Sequence, residues 1–353
     1  MPSRIAVVPG DGIGPEVITQ GVRVLEAACP ALHFTQYDIG AERYLRSGEI
    51  LPEKVFDELK AADAIYLGAI GDPRIKDPLY AAGILLRLRF ELDLWANLRP
   101  SKLLAPGLTP LRDVSHIDLV VVRENTEGAY VGIGGQFKRG TMEEVAIQED
   151  INTRVGVERV IRFAFELARQ RRATGHPGRV TMVDKSNALY HAHELWQRVF
   201  AQERERAPDI VAQHLYVDVA AMQLVRHPAD FDVLVTSNMF GDILSDLASE
   251  LVGGLGQAPS GNINPTTRRG LFEPVHGSAP KHAGKGTANP LGAILSGAMM
   301  LRHLGQAESA DRVEDAVAKA VRAGDTTGDL GGSLTTEAAA QAVLARLQDS
   351  ETI

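Results

Sequence analysis

The chain has 353 residues, long enough to bury a large core and, by size alone, to form about two domains. With 44% hydrophobic and 23% charged residues its composition is that of a soluble globular enzyme, and 5% aromatics leaves little for stacking on nucleic-acid bases. A formal charge of -8 argues against a nucleic-acid partner, and a single cysteine, Cys29, excludes an internal disulfide framework or a Cys-rich zinc site. In chain order, residues 5–9 (Ile-Ala-Val-Val-Pro) read as a short buried strand, residues 10–14 (Gly-Asp-Gly-Ile-Gly) as a tight turn and residues 15–28 as a helix with apolar residues at helical spacing. Residues 64–67, 119–122, 180–183 and 233–236 repeat one scheme, an apolar strand that stops where polar residues begin. That scheme predicts an α/β fold, with chemistry gathered at the carboxyl ends of the strands. Residues 131–140 followed by 143–149 read as an extended excursion or a hairpin. The N-terminal apolar run is too short for a signal peptide and no run of ~18 apolar residues occurs, so a cytoplasmic protein without a membrane partner is expected.

The strongest local signal is Asn-Met-Phe-Gly-Asp-Ile-Leu-Ser-Asp over residues 238–246, which sets Asp242 and Asp246 four residues apart at a predicted helix start. That spacing puts both carboxylates on one face, where hard oxygen ligands suit Mg²⁺ or Mn²⁺. Spacing alone is better explained by a solvated helix N-terminus, where aspartate is favoured anyway. Arg89, Arg99 and Arg123 offer planar forks suited to carboxylates, and Arg123 ends a strand just before Glu-Asn-Thr-Glu-Gly. Tyr130 and Lys185, also just past strand ends, are suited to acid and base work, although edge packing would explain each alone. The turn at 10–14 lacks the spacing of a dinucleotide fingerprint and reads equally as a tight strand-to-helix turn closed by Pro15.

Taken together, Gly-Asp-Gly-Ile-Gly-Pro-Glu (10–16), Ala-Asn-Leu-Arg-Pro (96–100), Val-Arg-Glu-Asn-Thr-Glu-Gly (122–128), Lys-Ser-Asn (185–187), the 238–246 segment and Glu-Pro-Val-His-Gly-Ser-Ala-Pro (273–280) resemble the isocitrate/isopropylmalate dehydrogenase family, in family order from about residue 4 to about 345. The resemblance implies a two-domain α/β fold. Residues 1–98 and 250–353 would form a discontinuous large nucleotide-binding domain, and 99–249 a central dimerisation domain whose intersubunit arm spans about 131–150. It further implies a homodimer with shared active sites, in which a metal ion is held by Asp242 and Asp246 of one subunit and Asp218 of the other. Lys185, aided by Asp218, would take the hydroxyl proton of a hydroxy diacid, and Tyr130 would help to protonate carbon after CO₂ leaves. Arg89, Arg99, Arg123 and Asn187 would bind substrate, with Leu85, Leu86 and Ala188 facing its C3 substituent. Ile13, Gly14, His276, Gly277, Ser278, Ala279, Lys281, His282 and Asn289 would line the nicotinamide dinucleotide.

Leu85 and Leu86 resemble the apolar residues of isopropylmalate enzymes, so oxidative decarboxylation of 3-isopropylmalate to 4-methyl-2-oxopentanoate is the expected reaction. Ala82 stands where a glutamate is common in those enzymes, Lys76 and Arg87 add charge nearby, and residues 123–127, 147–149 and 185–187 also look like the D-malate/tartrate branch. Isocitrate, homoisocitrate or another 3-substituted malate, including a phosphonate, therefore stay open as substrates. Lys281 stands where NAD-dependent relatives usually have an aspartate, and a cation there better suits a 2′-phosphate, so NADP is expected over NAD. A catalytically silent regulatory subunit is the alternative from another class.

Overall fold

The computed structural model describes residues 2–349. The first part of the chain forms β1 (Ser3–Val8), α1 (Gly14–Ala28), β2 (Leu32–Gln36), α2 (Ala41–Ser47), α3 (Glu53–Lys60), β3 (Ala64–Leu67), α4 (Leu79–Glu91) and β4 (Ala96–Lys102). The middle forms β5 (Asp118–Glu124), β6 (Gly134–Phe137), β7 (Val145–Gln148), α5 (Arg154–Ala173), β8 (Arg179–Asp184), α6 (Tyr190–Arg206), β9 (Val211–Tyr216), α7 (Val217–Arg226), β10 (Val233–Thr236) and α8 (Asn238–Glu250). The last part forms β11 (Pro259–Asn264), β12 (Arg269–Pro274), α9 (Leu291–His303), α10 (Ala307–Arg322) and α11 (Thr336–Asp349). The α/β class expected from the strand pattern is observed.

These elements fall into two compact units. The first comprises the chain up to Leu94, Arg99–His116 and Ser249 onward, and the second comprises Trp95–Leu98 and Ile117–Ala248. Residues 99–116, grouped by sequence with the middle of the chain, belong with the first unit. There, for instance, the Arg322 guanidinium donates to the Leu104 carbonyl.

In the first unit the strands run in the order β2-β1-β3-β12-β11, parallel except for the antiparallel β11–β12 pair. β1 and β3 are apolar and buried along most or all of their length, as strands covered on both faces must be. Helix α9 is buried at nine of its 13 positions, and its small residues allow close packing, with Gly297 against Leu25 of α1. The Tyr66 hydroxyl at the centre of this unit donates to the Ala293 carbonyl at 2.7 Å.

The second unit has the order β5-β10-β8-β9, all parallel. Helix α5 covers it with a stripe of Val157, Val160, Ile161, Ala164, Phe165 and Ala168, and Thr153 caps its N-terminus by accepting from the Gly156 amide. Each fully buried Val, Ile or Phe of that stripe contributes roughly 1.5–3 kcal/mol. Register decides where the chemistry falls: Arg123 of β5 pairs with Thr236 of β10, which pairs with Val183 of β8, while Asp184 pairs with Tyr216 of β9. The carboxyl ends of all four strands are therefore level, and Arg123, Lys185, Asp218 and Asn238 all emerge along one edge. The excursion at 131–149 is a hairpin, β6–β7, with every strand residue exposed.

Candidate active site

In the first unit, β1 delivers the chain into the 10–14 turn, and that turn packs on the 276–280 loop: the Ile13 amide donates to the Ser278 carbonyl at 2.9 Å. Gly12 has φ +56°, and a Cβ there would lie 1.9 Å from the same carbonyl oxygen, so only glycine fits. The Asp11 carboxylate, nearly fully buried, accepts from the amides of Ala41 (2.6 Å) and Gly71 (2.7 Å) and from the Tyr80 hydroxyl (2.8 Å). Glu16, in the first turn of α1, accepts from the amides of Gly284 and Gly286 and so pins the loop that carries Lys281 and His282. Those two side chains are exposed, and a cleft of about 740 Å³ opens beside the turn, lined by Gly10, Asp11, Gly12, Asp38, Arg74 and Pro280 among others.

His276 is held below the usual histidine pKa by burial, its Nδ1 lies 3.0 Å from the Gly277 carbonyl, and its Nε2 is buried without a partner. An orphaned ring nitrogen beside exposed Gly277 and half-buried Ser278 and Ala279 suits a heteroaromatic ligand such as a dinucleotide. Asn289, expected to bind the cofactor, already uses its amide: Oδ1 caps α9 at Leu291 and Nδ2 donates to Asp329, both at 2.9 Å.

Arg89 and Arg99 are both buried in this unit. Arg89 Nη2 donates to Glu273 Oε1 at 2.9 Å, the same oxygen accepts from Asn262 at 2.9 Å, and Arg89 Nε is left without a partner. A buried guanidinium with one free N–H is prepared for a further acceptor. On α4, Leu85 packs in part on the core and Leu86 is half-buried. The nearby charge is spent elsewhere. Arg87 pairs with Glu53 and Glu91 and donates to the Leu51 carbonyl, and Lys76 donates to the Pro73 carbonyl.

In the second unit, Arg123 is 1% exposed. Its Nε donates to Asn238 Oδ1 at 2.9 Å and its Nη1 to Asp242 Oδ1 at 2.5 Å, while the guanidinium lies over the Tyr130 ring. The Tyr130 hydroxyl donates to the other Asp242 oxygen at 2.7 Å. Three residues singled out from different sequence motifs thus form one cluster. Gly241 permits it, since a Cβ there would stand 2.6 Å from Cβ and Cγ of Arg123. Gly241→Ala is expected to displace Arg123 and to raise KM for a diacid by roughly ten- to a hundredfold, the equivalent of about 1.5–3 kcal/mol of charged hydrogen bonding, in steady-state assays. Glu124, next in sequence, has its pKa pushed up to about 7 by burial, against the opposing pull of amide and hydroxyl donors on Thr126 and Glu127.

Lys185 and Asp218 meet at the ends of β8 and β9, Nζ to Oδ1 at 2.5 Å, and the ammonium holds the Asp218 carboxyl below its usual range. Asn187 and Ala188 follow on an exposed turn. Asp242 and Asp246 lie one turn apart on α8, as the spacing predicts, and their hard oxygens suit a divalent cation. Among the described residues, however, no three His, Cys, Asp or Glu side chains stand close enough together to hold a metal ion. Asp218 therefore does not complete the set within one chain.

Residues 4–343 match the family model for isocitrate/isopropylmalate dehydrogenase. The chain belongs to that family. It is 48% identical to 3-isopropylmalate dehydrogenase of Thermobifida fusca over 90% of each chain, and 46% identical to that of Mycolicibacterium vanbaalenii over 98% of this chain and all of the relative. Among solved structures it resembles isocitrate dehydrogenase from Methylococcus capsulatus (TM-score 0.89, 38% identity, 98% of this chain and 99% of the other). It also resembles the apo β-decarboxylating dehydrogenase from Thermococcus kodakarensis (TM-score 0.82, 38% identity, 99% and 98%). The chain is accordingly a decarboxylating dehydrogenase, of a family that depends on a divalent metal and a nicotinamide dinucleotide and acts on hydroxy acids. Among the described residues no helix is long and apolar enough to cross a membrane. Sequence motifs did not single out Asp11, Glu16, Asn262, Glu273 or Asn238 as site residues. All of these except Asn262 lie within the family-like motifs, but their roles are long-range hydrogen bonds that spacing does not encode.

Proposed function

We propose that the chain oxidises and decarboxylates 3-isopropylmalate, using NADP in preference to NAD, as a homodimer with shared sites. The observation that carries the substrate is the 46–48% identity to 3-isopropylmalate dehydrogenases over nearly the whole chain. Half-buried Leu85 and Leu86 one turn before Arg89 support it, as does the engagement of Arg87 and Lys76 with other partners, which leaves the C3 side apolar.

Arg89, Arg99 and Arg123 would hold the two carboxylates, and Asp242 and Asp246 with Asp218 of a second copy would hold Mg²⁺ or Mn²⁺. When bound, the cation would polarise the C2 hydroxyl oxygen and the nicotinamide ring would accept the C2 hydride. Lys185 Nζ, as the neutral amine left once its own proton has passed to solvent, takes the proton of the C2 hydroxyl. An Asp218 carboxylate committed to another partner leaves that ammonium without its counter-charge, the state in which it yields its proton most readily. The C3 carboxylate then leaves as CO₂, and the Tyr130 hydroxyl supplies the proton that C3 takes up. Two observations support shared sites. Asp218 does not join Asp242 and Asp246 within one chain, and the β6–β7 hairpin and the α8 residues Met239 and Ile243 expose apolar side chains that a second copy would cover.

For the nucleotide, exposed Lys281 on the loop pinned by Glu16 supports a 2′-phosphate contact. Lys281→Asp is expected to lower kcat/KM for NADP by roughly ten- to a hundredfold, about 1.5–3 kcal/mol, and to raise it for NAD. A wild-type enzyme that already prefers NAD would refute the assignment. The substrate is tested by kcat/KM for 3-isopropylmalate, isocitrate, homoisocitrate, D-malate, tartrate and a phosphonate-bearing malate, followed as reduced nicotinamide. The expected result is 3-isopropylmalate ahead by at least about tenfold, and a clear preference for any other acid would displace it.

A further inference from the structure

A buried histidine behind the lysine has no assigned part in the chemistry. His193 lies in the first turn of α6 and is 1% exposed. Side chains on a helix lean towards its N-terminus, and this one reaches back past the start of α6 to the Lys185 backbone. There its Nδ1 accepts from the Lys185 amide at 2.8 Å. The Lys185 carbonyl is fixed too, by the amides of Ala188 (2.9 Å) and Leu189 (2.8 Å). Since a backbone N–H can only donate, Nδ1 must be unprotonated and the ring neutral, with its proton on Nε2.

The rest of the ring's surroundings fit that tautomer. Nε2 has no hydrogen bond but faces Asp150 Oδ2 at 3.7 Å, an electrostatic contact. Asp150 is oriented by Asn152, whose Nδ2 donates to Asp150 Oδ2 at 2.9 Å and whose Oδ1 accepts from the Trp196 indole at 2.8 Å. The ring faces are packed as well. Phe240 meets His193 edge-on with centroids 5.5 Å apart, and Trp196 lies tilted at 6.5 Å. Phe240 is two residues from Asp242, and Asp150 adjoins Ile151, which bridges to Gly128 at the other end of the hairpin excursion.

We infer that His193 is a positioning residue for Lys185, its neutral ring fixing the lysine's backbone from a seat formed by Asp150, Trp196 and Phe240. The side chain touches no reacting atom. Its effect passes through the place from which the Lys185 side chain starts, so this inference rests on the reading of Lys185 as the base. Moving a catalytic group by about 1 Å costs roughly a hundredfold in rate.

The test uses the full-length wild-type enzyme, His193→Leu, His193→Asn and Lys185→Met, with kcat and KM for 3-isopropylmalate. Asparagine can place its Oδ1 where Nδ1 stood, whereas leucine offers no acceptor. The expected result is a kcat lowered roughly 10- to 100-fold in His193→Leu at nearly unchanged KM, with most of kcat regained in His193→Asn. Equal losses in both variants, or a loss that falls on KM, would reduce His193 to a space-filler and overturn the inference, as would a fully active His193→Leu. Should Lys185→Met keep near-normal turnover, the lysine's role falls and the histidine's falls with it. A dead Lys185→Met beside a normal His193→Leu would instead leave the lysine's role standing and remove the histidine's.

Discussion

Asp242→Asn is expected to abolish metal-dependent turnover while leaving the assembly intact. The carboxylate accepts from both Arg123 and Tyr130, and its side chain keeps 36% exposure, enough for a cation to reach it. Asparagine preserves the shape and one oxygen acceptor for Arg123 but removes half of the α8 charge that would bind a divalent ion. Loss of several kcal/mol of charge stabilisation corresponds to a fall in kcat of about 10³-fold or more. Assays across a Mg²⁺ or Mn²⁺ series, with gel filtration to follow the oligomer, check both halves of the expectation. Near-normal activity would remove Asp242 from the metal site.

Lys185→Met has the second large expected effect, a fall in kcat of roughly 10²- to 10⁴-fold, the usual value of a positioned acid or base. Stability decides that this loss is chemical and not structural. Asp218 is 59% exposed beside Lys185, so their ion pair is worth little to folding, and thermal denaturation should be almost unchanged. The variant should also free the Asp218 carboxyl from the ammonium that holds its pKa low, which its side-chain NMR titration would show as a rise towards the ordinary aspartate range.

Strands β1, β3, β5, β8 and β10 and the helix carrying Asp242 and Asp246 were legible in the sequence because they follow from local pattern, apolar runs with a polar stop and an i, i+4 spacing, whereas β2, β4, β9, β11 and β12 carry no such run. So was the hairpin at 131–149. The conflicting charge beside Leu85 and Leu86 was misleading, because the direction of an arginine depends on its partners: Arg87 is drawn to Glu53, Glu91 and the Leu51 carbonyl from elements distant in the chain or one turn on. Asp11 illustrates what pattern cannot reach. Its neighbours in sequence mark it as part of a turn, and only the fold brings the amides of Ala41 and Gly71 and the Tyr80 hydroxyl to its carboxylate. Asn289, which lies outside the family-like motifs, likewise has long-range and local partners that pattern does not display, accepting from the Leu291 amide and donating to Asp329. Residues 99–116 were misgrouped because no Pro/Gly-rich linker marks the boundary, and their unit is set by packing that sequence does not display.

Everything proposed about the reaction depends on Lys185 with Asp218 and Tyr130 with Asp242 being halves of one site supplied by two copies of the chain. Mixing the two inactive proteins, Lys185→Met and Asp242→Asn, then dissociating and reassociating them, tests this most directly. In a hybrid dimer one of the two shared sites combines an intact lysine with an intact aspartate. Random reassociation should therefore restore about one quarter of wild-type decarboxylating turnover of 3-isopropylmalate. A mixture that forms hybrid dimers yet stays inactive would contradict shared sites and place each complete site within a single chain.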